Sequence, residues 1–209
     1  MITVKTNKSI ALDSLDHLYP FGVVRDNNSK IEYIREVKQY FNDKKINVMD
    51  LGCAGGQIIV DHHLLGDLAV GLEGSSNVFM GAGKTNWNVL FNKNLFLCDI
   101  TEAFDIDFNN NLILFDYIQM WEVLEHIPEN KLSVLFANIN KHLKQGGMFC
   151  GSIATYVCPS GTHVSIFPKE KWIQLFKDNG LQLKDYVFKN LPRPVSEGDL
   201  GFVFTATKL

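Results

Sequence analysis

The chain predicts an α/β fold built on a doubly wound, mostly parallel sheet, and three patterns carry that prediction. From residue 46 onward, short apolar runs of strand length alternate with segments of helical period for five units. The first unit is joined by a glycine-rich turn, Asp50-Leu51-Gly52-Cys53-Ala54-Gly55-Gly56. The last two apolar runs, 181–188 and 202–207, follow one another with no helix between, as an antiparallel hairpin would.

Residues 1–45 precede the first core strand and read as a helical and loop cap, with 46–209 as the main domain. Asp13 to Asn28 is polar and broken by Pro20 and Gly22, so a short helix and a loop are expected. The stretch Tyr19-Pro20-Phe21-Gly22 suits either a pocket closure or a surface tether. Asn28 or Ser29 is the expected cap of a helix with Ile31, Ile34, Val37 and Phe41 on one face.

The first strand, with Ile46, Val48 and Leu51, enters the glycine turn, and a helix over 57–66 leaves it. A strand over 68–73 follows, then a helix from Ser75 or Ser76 to about Leu90. A short strand at 95–98 comes next, and an irregular acidic segment to Asn111. Leu112 to Met120 is strongly apolar and reads as a central buried strand. Pro128 opens a helix that Gly146-Gly147 stops. A strand over 148–154, a long loop, a helix from Pro168 to Gly180 and the final hairpin complete the pattern. The hairpin loop holds Pro192, Pro194 and Gly198.

Composition narrows the function. The 209 residues suffice for a sizeable core, at 46% hydrophobic and 21% charged. A net charge of −3 leaves the whole chain without the electrostatic footprint of a nucleic-acid or anionic-membrane binder. The N-terminal stretch lacks the apolar core of a signal peptide, and no run reaches the length of a membrane span. The cysteines at 53, 98, 150 and 158 lie singly, so free thiols in a reducing cytoplasm are expected.

Small residues at 52 and 54–56 let a backbone come close to a ligand and aim helix N-terminal N–H groups at it. A dinucleotide site would read G-x-G-x-x-G; here the order is Asp50-x-Gly52-x-Ala54-x-Gly56. This resembles the first motif of class I S-adenosylmethionine-dependent methyltransferases, with Ala54 in place of the middle glycine. The segment Phe115-Asp116 through Glu122-Val123-Leu124-Glu125-His126 resembles the F-D-x-x-x-x-x-E-V-L-E-H stretch of the small-molecule (type 11 and type 23-like) members. The resemblance covers about residues 46–154.

The resemblance implies a Rossmann-like, seven-stranded sheet of order 3-2-1-4-5-7-6. It implies S-adenosylmethionine as cofactor, with S-adenosylhomocysteine as product. Gly52, Cys53, Ala54 and Gly56 would form the cradle, with Asp50 supporting the turn and the amino group. Glu73, at the end of the second strand, is placed to accept the ribose hydroxyls. Asp99 would read the adenine amino group, with Ile100 on the ring. Gln119, Met120 and Trp121 would leave the strand end over the methionine moiety, beside Glu122. His126 and His163 are the candidates for a general base or acceptor contact. No metal site is expected.

The partner implied is a small-molecule acceptor, a sugar or secondary metabolite methylated on oxygen or nitrogen. A non-catalytic S-adenosylmethionine-binding module and a nicotinamide-dependent oxidoreductase are the alternatives. Two other patterns are set aside. Gly81-Ala82-Gly83-Lys84-Thr85 lacks the first glycine of a P-loop, Val78 standing there, and adjacent His62 and His63 diverge on a helix.

Overall fold

The computed structural model describes residues 1–193 and 200–209; Pro194 and Gly198 of the expected hairpin loop lie outside them. The chain opens with β1 (Ile2–Thr6), two short helices α1 (Leu15–Leu18) and α2 (Phe21–Arg25), and α3 (Ile31–Tyr40). Then come β2 (Asn47–Leu51), α4 (Gln57–Leu64), β3 (Leu68–Glu73), α5 (Lys84–Leu90) and β4 (Leu95–Leu97). A hairpin of β5 (Phe104–Phe108) and β6 (Asn111–Leu112) precedes β7 (Phe115–Trp121), α6 (Glu129–His142) and β8 (Leu143–Ala154). The chain closes with α7 (Lys169–Asp178), β9 (Leu181–Leu183) and β10 (Gly201–Lys208).

Seven strands form one sheet in the order β4-β3-β2-β7-β8-β10-β9. Counted within the sheet, this is the expected 3-2-1-4-5-7-6. Pairings from β4 through β8 are parallel, and β10 runs antiparallel between β8 and β9. The strand order reverses between β2 and β7, which opens a crevice at their carboxyl ends.

Alternate residues of each strand face opposite layers. Met49, Val70, Ile118 and Met120 join the cluster that holds Leu135 and Phe136 of α6 and Trp172 of α7. Val48, Ala69 and Tyr117 join the one that holds Tyr33 and Val37 of α3 and Trp87 of α5. Among the described residues, no helix is long and apolar enough to cross a membrane.

Several local expectations give way. The segment after Asp99 is not irregular, because Phe104 and Ile106 are buried two residues apart and 104–108 pairs with the unforeseen β1. Neither Asn28 nor Ser29 caps α3; Asp61 of α4 does so from across the layer, accepting from Lys30 N at 2.5 Å and Ser29 Oγ at 3.0 Å. The helix expected over 75–90 splits into a 3-10 turn at Ser76–Phe79 and α5. It breaks where Gly81 and Ala82 meet α2, Ala82 N–H donating to the Val24 carbonyl at 2.7 Å.

Helix α6 ends at His142 rather than at the glycine pair. His142 is pinned at both ring nitrogens, to the Asn138 carbonyl at 2.8 Å and to Ile106 N–H at 3.2 Å, so Leu143 goes into β8. Strand β9 stops at Leu183 because the chain leaves the sheet to lay Phe188 edge-on against Tyr33.

Candidate active site

The glycine turn leaves β2 through three left-handed residues, Gly52 (φ +76°), Ala54 (φ +44°) and Gly56 (φ +78°). The φ of Ala54 is unfavourable for a side chain by about 1–2 kcal/mol. It is held from both sides: its N–H donates to Glu73 Oε2 at 3.0 Å, and its carbonyl accepts from the Trp87 indole at 2.8 Å. At Gly52 a Cβ would come within 2.5 Å of Val123, and at Gly56 within 2.6 Å of Leu95. The left-handed backbone at both positions favours glycine, and these neighbouring side chains would have to shift to admit a Cβ.

Glu73 ends β3 with both oxygens engaged, the second taking Ser75 N–H at 3.0 Å. Burial pushes its carboxyl up to about 6. Glu73, Asp99 and Ile100 line one cleft together with Gly52 and Val123. Burial opposes ionisation of Asp99, but hydrogen bonds from Thr101 and the Lys8 ammonium at 3.1 Å hold its carboxyl below the usual range.

Asp50 lies under the turn beside Cys53 and Trp121, against an ion pair between Arg193 and Asp26 at 2.5 Å. Burial pushes its carboxyl up to about 7 against the pull of Arg193. Gln119 is set further back. It is fully buried and accepts from the Tyr33 hydroxyl at 2.9 Å and from the Trp121 indole at 3.5 Å.

A second, wider cavity adjoins the first and shares Gly52, Glu73, Val123 and His126 with it. Its wall also holds Ala54, Glu122 and His163, and exposed Tyr19 and Phe21 stand at its rim. Glu122 is held at φ +54°, the kind of sparsely populated backbone that collects at working sites. The His126 and His163 rings lie edge to face at 4.8 Å. Burial disfavours a charged His126, but Asp16, 2.9 Å from Nδ1, with Glu125 and Glu122, outweighs it and raises its pKa.

Three residues at this site escaped the sequence: Lys8 on Asp99, Asp16 on His126, and Arg193 above Asp50. Each acts across the fold, and no local pattern marks a lysine or an aspartate in a polar N-terminal stretch.

A methyltransferase domain family model matches residues 26–185. The chain is 27% identical over 190 residues to a ubiquinone biosynthesis O-methyltransferase of Rickettsia prowazekii (strain Madrid E), covering 79% of this chain and 71% of that protein. It is also similar to the crystal structure of an S-adenosylmethionine-dependent methyltransferase from Clostridium acetobutylicum ATCC 824. There the TM-score is 0.66 at 16% identity, over 92% of this chain and 95% of the other. The magnesium protoporphyrin IX methyltransferase of Synechocystis PCC 6803, solved with bound S-adenosylhomocysteine, gives a TM-score of 0.57 at 14% identity, over 86% and 83%.

Proposed function

The chain belongs to the methyltransferase domain family, and on that premise we propose that it methylates an oxygen or nitrogen atom of a small molecule, with S-adenosylmethionine as donor. One observation carries this reading. The cleft holding Glu73, Asp99 and Ile100 shares Gly52, Glu73, Val123 and His126 with the cavity holding Glu122 and His163. A cofactor subsite and an acceptor subsite thus share a wall.

The residues fit the donor. Glu73 is an acceptor for ribose hydroxyls, and Asp99 with Ile100 offers an acceptor beside an apolar face for adenine. Asp50 is a buried carboxylate beside the turn, suited to an ammonium group. The buried Gln119 side chain lies next to it and favours its ionised form. Gly52, Cys53, Ala54 and Gly56 set the backbone of the cradle, and Trp121 and Glu122 close the strand end. When bound, S-adenosylmethionine supplies an activated methyl group on a sulfonium centre.

The protein's work is then to hold the acceptor atom in line and to exclude water, and proximity accounts for much of such a rate. We assign His126 and His163 to acceptor activation. Residues 1–45 act as the cap of the catalytic unit 46–209, with Tyr19 and Phe21 framing the entrance for an acceptor that has an aromatic or apolar face. A cytoplasmic setting suits the three buried free thiols.

Calorimetric titration with S-adenosylmethionine and S-adenosylhomocysteine, on the parent chain and Glu73→Ala, tests the reading. Removal of charge-assisted bonds worth roughly 1.5–3 kcal/mol each predicts at least tenfold weaker binding in the variant. A folded parent chain that binds neither ligand would refute the proposal.

A further inference from the structure

We propose that Glu125, His126 and His163 bind one divalent transition-metal cation, and that this cation holds an oxygen acceptor in the adjoining cavity. Each of the three residues offers a ligand atom, and all of these atoms lie within 4.8 Å of one another. Contraction to the roughly 3 Å ligand spacing around a first-row cation requires movement on the scale of side-chain rotamers.

The Glu125 side chain is fully buried, yet only Oε1 is used, taking the Ala154 N–H at 3.0 Å. Oε2 has no hydrogen-bond partner. A buried carboxylate oxygen without a partner is expensive, and either a proton or a cation removes the cost.

The histidines are set up in the same sense. The Tyr156 carbonyl lies 2.9 Å from Nδ1 of His163, so that nitrogen carries the proton and Nε2 presents its lone pair. Asp16 stands 2.9 Å from Nδ1 of His126 as a charge partner, outside hydrogen-bond alignment. A carbonyl or carboxylate on the far nitrogen is the outer support that metal-binding histidines ordinarily have.

The backbone holds the group together across a long stretch of sequence. The Glu125 carbonyl accepts from both Val164 N–H at 2.8 Å and Ser165 N–H at 2.9 Å, and Ser165 Oγ donates to the Ile127 carbonyl at 2.6 Å. These bonds press the loop carrying His163 onto the turn carrying Glu125 and His126. Two imidazoles and one carboxylate suit zinc, manganese, iron(II) or cobalt and leave coordination positions open.

His126 and His163 face the cavity that Glu122 also lines, so the open positions face the acceptor space. An acceptor hydroxyl bound there would have its pKa lowered and release its proton to solvent. That role rests on the methyltransferase reading above; the binding of the cation does not.

Cobalt(II) is the probe, followed by its visible absorption, with zinc competition and calorimetry for stoichiometry. The parent chain should take up one cation, and His163→Asn should bind it at least about tenfold more weakly, since loss of even an outer-shell partner costs 10–100-fold. Asp16→Asn, which leaves all three ligands in place, should weaken binding to an intermediate degree. Binding of S-adenosylhomocysteine by both variants shows that they are folded. No saturable cobalt, zinc or manganese binding by the parent chain overturns the inference and leaves the methyltransferase reading standing, as does equal affinity in His163→Asn. Cation binding without any binding of S-adenosylmethionine would do the reverse.

Discussion

Asp50 joins stability to function at the level of one side chain. It is 3% exposed, and burial lifts its carboxyl from the usual range to about 7. A raised folded-state pKa means that the native state binds the proton more tightly than the unfolded chain. Stability is therefore greatest below about pH 4 as far as this group is concerned, and falls as pH rises from about 4 to about 7. Asp50→Asn should flatten that slope and, at pH 8, stabilise the free protein by about 2–4 kcal/mol while weakening S-adenosylmethionine binding. Urea denaturation at pH 5 and pH 8 measures it; identical pH slopes in the two proteins would show that Asp50 is not the group responsible. Asp50 and Glu73 were legible in the sequence because each lies at the carboxyl end of a strand next to a recognisable turn. Asp16 was not, because it meets His126 only through the fold.

Among the elements, the stretch that mimics a P-loop has a packing role. Gly83 precedes α5 and lies so close to the Gly55 backbone that any Cβ there would overlap it. Gly81 is pressed in the same way on Val24, where a Cβ would come within 2.5 Å of the main chain. Small residues at 81–83 thus let α5 close on the glycine turn and on α2 together. Gly83→Ala should cost about 1–3 kcal/mol by overpacking and loosen the turn. Gly22→Ala, whose Cβ meets nothing within 4 Å, should be neutral or slightly stabilising. Thermal denaturation of the pair decides; equal melting temperatures would mean that the seam yields freely. Periodicity could locate the helix ends near here only to within a few residues, since the break is imposed by a neighbour rather than by the local sequence.

For the molecule as a whole, the N-terminal segment is part of the site's wall. Strand β1 pairs with β5 along its whole length, Lys8 reaches Asp99, and Ala11 N–H donates to the Gly74 carbonyl at 2.8 Å. Ile2 and Val4 of β1 pack on one core layer, but β1 is not a strand of the seven-stranded sheet. A chain lacking residues 1–12 should retain the sheet, read by circular dichroism, yet bind S-adenosylmethionine about tenfold or more weakly, as expected for the loss of one charge-assisted contact and its support. Unchanged affinity in the truncated protein would mean that β1 and Lys8 are irrelevant to the site.

The sequence by itself determined the sheet, its seven strands, the turn and the acids at or just beyond the carboxyl ends of β2, β3 and β4. Strand order and cofactor came with the family likeness of the Asp50–Gly56 and Phe115–His126 stretches. All of these are written in contiguous residues, where alternation, helical spacing and turn chemistry act over a few positions. Tertiary structure alone decided β1 and the small second sheet, the Asp61 cap on α3, the break before α5 and the departure of Phe188 from the sheet. It also decided which groups meet at the wider cavity: Asp16 behind His126, and the loop of His163 drawn to Glu125 by two backbone bonds. These depend on residues far apart in the chain, whose meeting is set by how the layers close, and no local period records that.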